Sequence, residues 1–300
     1  MGPDALEKAL CDLAQKHNAK TNIIKGEALL DQNFPMIHAV GRASDQQPRL
    51  LDMQWGENNN PKITLVGKGV CFDTGGLNIK PTASMGLMKK DMGGSATVLG
   101  LAHMIMSLNL KVNLRVIIPA VENSISSNSF RPQDILISRK GMSVEINHTD
   151  AEGRLILADA LSLADEDKPD LLICNATLTG AARVALGPDM PPFFTDDDEL
   201  ADQIQKASIE NVDPLWRMPF WAPYESFIEP EVADLDNAPK GGFAGAITAA
   251  LFLRRFVEKS KYFVHFDLFA WSPVHKPSQT QGGACQSARA TLSVIEKRYE

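Results

Sequence analysis

The spacing of apolar residues changes along the chain, and the changes mark out its elements. Residues 4 to 17 set Leu6, Leu10, Leu13 and Ala14 at helical intervals, which predicts an amphipathic helix. Short β-like runs follow at Asn22–Ile24, Met36–Val40, Leu50–Trp55 and Ile63–Val66. Beyond them helices and strands alternate. The pattern predicts helices over Ala96–Leu108, Glu152–Ala164, Glu199–Ser208, Ala244–Lys259 and Ala288–Arg298. It predicts strands over Asn113–Pro119, Ser143–Asn147, Asp170–Ala176 and Tyr262–Phe269. Such alternation implies an α/β sheet covered by helices on both faces. There is no internal repeat, and the stretch from Pro188 to Asp198 reads as a surface loop.

Composition narrows the role more than the fold. A chain of 300 residues, 44% of them hydrophobic, can bury a large core, as one large domain or two smaller ones. Its net charge of −7 speaks against nucleic acid or an anionic membrane as the main partner. No apolar run approaches a membrane span, and no charged-then-apolar signal segment opens the sequence. Cys11, Cys71, Cys174 and Cys285 lie far apart without a CxxC pair, as expected of reduced thiols in a cytoplasmic protein.

Ligands of α/β sheets bind beyond the carboxyl ends of strands, and the polar motifs sit in those places. Gly67-Lys68-Gly69 follows one predicted strand, His148 to Arg154 a second, and Asn175 to Gly180 a third. In an extended segment Asp150, Glu152 and Arg154 would point to the same side, and two carboxylates are costly to bury without a cation. The segment from Val66 to Lys80 sets Lys68, Asp73 and Lys80 among four glycines, yet matches neither phosphate-cradling pattern. Asp91 adds a carboxylate ahead of a helix. Taken singly these residues have bland explanations: solvated charges, turn glycines, an Asp150 N-cap, a Glu152 in the first turn of a helix.

Together they resemble the leucyl aminopeptidase family, the M17 di-metal exopeptidases. The resemblance rests on VGKGVCFDTGG-LNIKP, LMKKDMGGSATV and NHTDAEGRLILADAL, with Asp73, Lys80 and Asp91 five, twelve and twenty-three residues after Lys68. It continues through Asn175–Ala181 and Gly242–Ala250 and covers essentially residues 3 to 298. It implies a zinc-exopeptidase-like catalytic domain over residues 1 to 300, built on a mixed central β-sheet flanked by helices on both faces. The family's usual N-terminal α/β domain is not represented, as in an excised catalytic domain or a short member.

The resemblance further implies two divalent ions (Zn²⁺ or Mn²⁺, alternatively Mg²⁺) held by Lys68, Asp73, Asp91, Asp150 and Glu152. Asp73 and Glu152 would bridge both ions, Lys68 and Asp91 would complete one site, and Asp150 the other. Lys80 would stabilise an oxyanion, and Arg154 would hold a bicarbonate acting as general base. Substrates would be peptides with a free N-terminus, leucine and other apolar residues preferred. Met88, Thr177, Gly180 and Ala181 would line the pocket for the first side chain, and Leu178 would offer a backbone carbonyl. His148 stands where the family usually has an asparagine near the substrate, so it is a candidate contact. Phe269 stands where small residues are more usual; it either narrows the pocket or faces the core. His265 is expected to be a core histidine. A trimer or hexamer is implied as the assembly. The competing reading is a non-enzymatic or DNA-binding relative that keeps the fold.

Overall fold

The computed structural model describes residues 1–277 and 279–299. The strands used below are β1 (Lys20–Lys25), β2 (Arg49–Trp55), β3 (Lys62–Gly67), β4 (Gly69–Asp73), β5 (Asn113–Asn123), β6 (Ile135–Ile137), β7 (Ser143–Glu145), β8 (Leu171–Ala176), β9 (Pro192–Phe194), β10 (Trp216–Arg217), β11 (Leu235–Asp236) and β12 (Phe263–Asp267). The helices are α1 (Pro3–His17), α2 (Ala28–Asp31), α3 (Pro35–Gly41), α4 (Thr82–Met85), α5 (Gly93–Ser107), α6 (Gly153–Glu166), α7 (Gly180–Leu186), α8 (Asp198–Glu210), α9 (Gly245–Arg254) and α10 (Ala288–Tyr299).

Nine strands form one mixed sheet in the order β1-β2-β5-β3-β8-β12-β9-β10, with β4 paired to β5. The strands β4, β5, β3, β8 and β12 run parallel, whereas β1, β2 and β9 enter antiparallel pairs. Strands β3 and β8 are buried at nearly every position because both of their faces are covered. Ile63, Leu65, Leu171 and Ile173 pack on one face with α1, α5, α8 and α10. On the opposite face Val66, Leu172, Cys174 and Ala176 pack with α3, α6 and α9. The mixed sheet flanked on both sides is therefore as expected.

Four elements depart from the sequence reading. The run Met36–Val40 is not a strand but lies in α3, which starts with Pro35 at its first turn. The Asp159 carboxylate accepts from the Met36 and Ile37 N–H groups at 2.8 and 3.2 Å, satisfying donors that a helix start leaves free. A short run buried all round carries no period to separate helix from strand.

The loop expected over Pro188–Asp198 contains β9, whose Phe193 and Phe194 are buried. Helix α9 stops at Arg254 rather than Lys259. There the Asp165 carboxylate accepts from the backbone N–H groups of Glu258, Lys259 and Ser260 and turns the chain towards β12. Finally, Ser143–Asn147 does not join the central sheet: β7 lies in a separate sheet of order β11-β7-β6.

Candidate metal centre

The parallel strands deliver their carboxyl ends to one place. Lys68 is the single residue between β3 and β4; its N–H donates to Asn175 O at 2.9 Å, and its own carbonyl accepts from Ser95 N at 2.9 Å. Strand β5 runs past this break at Pro119, which has no N–H to offer a ladder. It continues to Asn123, beyond the expected end. A register shift between Val70 and Asp73 turns the end of β4, and bulges of this kind re-aim side chains. Asn123 Nδ2 then donates to Asp73 Oδ1 at 2.8 Å.

Close backbone approaches explain two of the glycines. A Cβ on Gly94 would lie 2.2 Å from Asn175 O, so only glycine lets the start of α5 rest on the end of β8. A Cβ on Gly153 would lie 2.5 Å from Lys68 Cε, because the lysine stem crosses the first turn of α6.

The charged motif reaches the site differently from the extended segment expected. Glu152 has helical backbone angles and occupies the N-cap position of α6, and Arg154 lies within the helix. Asp150 is not the cap; its side chain pairs with Lys80. The turn is held from a distance. Asn237 Oδ1 accepts from Asn147 N and His148 N, while its Nδ2 donates to His148 O at 2.8 Å. Thr149 Oγ1 donates to Gly75 O at 2.6 Å and ties the turn to the glycines after β4.

These elements bring together all five residues expected to hold metal. Asp73, Asp91 and Glu152 are buried and can each present an oxygen within 4.8 Å of the others. Lys68 Nζ lies 2.7 Å from Asp91 Oδ2 and 3.0 Å from Glu152 Oε1, and donates to Thr177 O at 2.9 Å. Lys80 Nζ lies 2.8 Å from Asp73 Oδ2. Four carboxylates thus face two ammonium groups, and the balance is visible in their acidity. Burial, with Asp73 nearby, pushes Glu152 up to about 8 and Asp150 up to about 6. Asp91 is raised by burial, whereas Lys80 and Lys68 outweigh burial at Asp73 and lower it. Burial disfavours the Lys68 ammonium, but Asp91, Glu152 and Asp73 together hold its proton more tightly than usual.

The oxygen atoms fit divalent cations. Glu152 Oε2 is buried without a partner, and Asp91 Oδ2, Glu152 Oε1 and Asp150 Oδ1 are met among the described residues only by the Lys68 and Lys80 ammonium groups. Carboxylate oxygens gathered at this density, four carboxylates to two ammonium groups, are what hard or borderline cations neutralise. Arg154 is 8% exposed, with Nε and Nη1 lacking partners. No ion pair to Glu152 or Asp150 forms among the described residues, and burial lowers its pKa to about 10. A buried planar fork without a partner fits a small planar anion.

A cavity of about 330 Å³ opens beside this cluster, and Met88, Thr177, Leu178 and Gly180 lie on its wall. Thr177 also donates from Oγ1 to Asp91 Oδ1 at 2.7 Å, which orients that carboxylate. Two further expected contacts, Ala181 and His148, are not part of this wall. Ala181 is exposed and faces Gly245 of α9. His148 is exposed, and its Nδ1 accepts from Asp150 N at 3.2 Å. Phe269 takes the first of its two alternatives and lines the cavity. His265 is fully buried, contacting Cys174 O through Nδ1 at 3.3 Å and stacking on Phe194, well apart from the carboxylates. Sequence reasoning missed Asn123, Thr149, Asn237 and Asp267. Only Thr149 sits in a charged motif, and each acts through a turn contributed by another part of the chain.

An acidic, amine-flanked pocket at the carboxyl edge of a mixed sheet defines an α/β domain with a site that fits divalent cations. A family model described as the cytosol aminopeptidase family, catalytic domain, matches residues 1–292. The cytosol aminopeptidase of Encephalitozoon cuniculi is 42% identical over 265 residues, covering 88% of this chain and 54% of that relative. The crystal structure of a cytosol aminopeptidase from Coxiella burnetii superposes with a TM-score of 0.97 and 50% identity, over 100% of this chain and 65% of the other. The bottromycin maturation enzyme BotP, solved in complex with Mn, gives a TM-score of 0.94 at 32% identity, over 100% of this chain and 67% of the other. The chain belongs to the cytosol aminopeptidase family and corresponds to its catalytic domain. It spans little more than half the length of the Encephalitozoon relative.

Proposed function

We propose that this chain is the catalytic unit of a di-metal aminopeptidase that removes the N-terminal residue from peptides. The observation that carries the reading is the convergence of four carboxylates, Asp73, Asp91, Asp150 and Glu152, on only two ammonium groups, Lys68 and Lys80, beside an Arg154 whose Nε and Nη1 lack partners. Lys68 and Asp91 would hold one ion and Asp150 the other, with Asp73 and Glu152 shared. Lys68 can ligate only as a neutral amine and must surrender its proton, a demand that favours zinc over manganese or magnesium at its site. When bound, two such ions acidify a water and polarise the peptide carbonyl.

The protein's own groups supply the rest. Lys80 keeps its charge, since Asp73 and Asp150 outweigh the burial that opposes it. Its ammonium would stabilise negative charge developing on the carbonyl oxygen. The Arg154 fork would hold bicarbonate, and that anion supplies a base where the described motifs offer no spare carboxylate. Met88, Leu178 and Gly180 shape the space for the first side chain. A cytoplasmic location is supported by four free cysteines and by the names of the relatives. The resemblance also supports a trimer or hexamer. No helix among the described residues is long and apolar enough to cross a membrane.

The two roles separate in variants assayed on leucine-p-nitroanilide. Lys80→Met should lower kcat by about 100-fold or more, as expected for loss of a charge that acts in the transition state. Arg154→Met should lower kcat by a smaller factor, and added bicarbonate should not rescue it. Wild-type rates in both variants would remove these residues from the mechanism.

A further inference from the structure

The wall of the cavity carries charge that the metal centre does not use. Phe269 lies on that wall with its ring flanked by two cations, Lys90 Nζ at 4.7 Å and Arg183 Cζ at 5.2 Å from its centroid. Lys90 ends the short helical turn that carries Met88, and Arg183 lies in α7. Neither cation has a carboxylate partner among the described residues. The acids nearest Lys90 are already engaged: Asp91 by Lys68 and Thr177, and Asp267 by the N–H groups of Leu178 and Thr179 and by the Thr179 hydroxyl. A cation–π contact offsets part of the cost of two like charges converging, but it does not neutralise them. Two unneutralised cations facing one concave surface attract an anion.

We propose that Lys90 and Arg183, braced by Phe269, form a carboxylate-recognising subsite in the substrate cavity. The chain then prefers substrates that place a carboxylate there over the purely apolar ones its motifs suggest. This deepens the aminopeptidase reading and rests on it. The carboxylate comes either from an acidic first residue or from the free C-terminus of a short peptide. Both offer the same planar anion to the guanidinium fork.

Matched substrate pairs test the subsite on the metal-loaded protein at low ionic strength. Glutamyl- and glutaminyl-p-nitroanilide differ only in the side-chain charge; Leu-Gly and Leu-Gly amide differ only at the C-terminus. The expected result is that the anionic member of one pair is favoured by about tenfold or more in kcat/KM, mainly through KM, since one charge-assisted hydrogen bond is worth about that factor. The pair that responds identifies the source of the carboxylate. Arg183→Gln, and separately Lys90→Gln, should bring that ratio to near one, whereas Arg183→Lys should keep part of it. If the cations only brace Phe269, the variants would change thermal stability and leave the ratio as it was, which overturns the proposal. Equal kcat/KM within both wild-type pairs also overturns it. Should no substrate be cleaved, the aminopeptidase reading fails on its own account, and calorimetric titration still decides the subsite. L-glutamate binding tighter than L-glutamine, or uncleaved Leu-Gly tighter than Leu-Gly amide, with the gap closed by Arg183→Gln, upholds it; equal affinities within both pairs reject it.

Discussion

A methyl group added at position 153 would meet Lys68 Cε at 2.5 Å and Nζ at 2.7 Å, so the smallest possible substitution reaches the centre of the site. Alanine is the better helix former by roughly 1 kcal/mol, and Gly153 begins α6, so Gly153→Ala ought to help the helix on local grounds. The expected outcome is the reverse for function: metal affinity reduced by about tenfold or more in calorimetric titration, with the thermal midpoint nearly unchanged. Undiminished metal binding would show that Lys68 has room to move. A second residue gives a pH signature. Burial pushes the His265 imidazole down to about 4 from an ordinary 6.5, so the folded state refuses a proton that the unfolded chain accepts. Its contribution to stability is complete above pH 6.5 and is lost as pH falls towards 4, a difference on the order of 3 kcal/mol. His265→Phe should flatten this acid limb in denaturant melts measured between pH 7 and 4. An unaltered limb would place the sensitivity elsewhere. The charged residues of the site were legible at this scale because their types and spacing are distinctive. Asn123 and Asn237 were not, because a lone asparagine becomes informative only when folding sets it against Asp73 or the turn at His148.

Among the elements, Asp165 shows how one side chain ends another segment's helix. Its carboxylate accepts from the N–H groups of Glu258, Lys259 and Ser260 and from the Ser260 hydroxyl. Asp165→Ala should destabilise the fold by about 1–2 kcal/mol by removing the acceptor that these part-buried donors share. A denaturant midpoint that does not move would contradict this account of where α9 stops. The same long-range control explains why sequence periodicity worked for some elements and failed for others. Helices α1 and α5 and strands β3 and β8 were legible because their burial patterns are their own. Residues Met36–Val40 fold as α3 because Asp159 accepts at the helix start, and Phe193 and Phe194 form β9 because β12 is beside them. Neither neighbour is visible locally. The alternation of Asp150, Glu152 and Arg154 was a correct pointer reached through the wrong geometry, since a turn and a helix start, rather than a strand, bring them together.

At the scale of the whole molecule the fold gathers, at one edge of the sheet, charges that no single element could bury. The parallel strand ends bring in Lys68 and Asp73, the turn ahead of α5 brings in Asp91, and the turn and first residues of α6 bring in Asp150, Glu152 and Arg154. An arrangement of this kind stabilises the folded chain most when cations are bound, because ligand binding to the native state alone adds stability by mass action. The most direct test of this account is metal removal and return. Protein stripped of metal should lack leucine-p-nitroanilide hydrolysis; titration with Zn²⁺, Mn²⁺ or Mg²⁺ should reach two ions per chain, and at least one metal should restore turnover. Full activity in stripped protein, or two bound ions with no turnover under any metal, would contradict it.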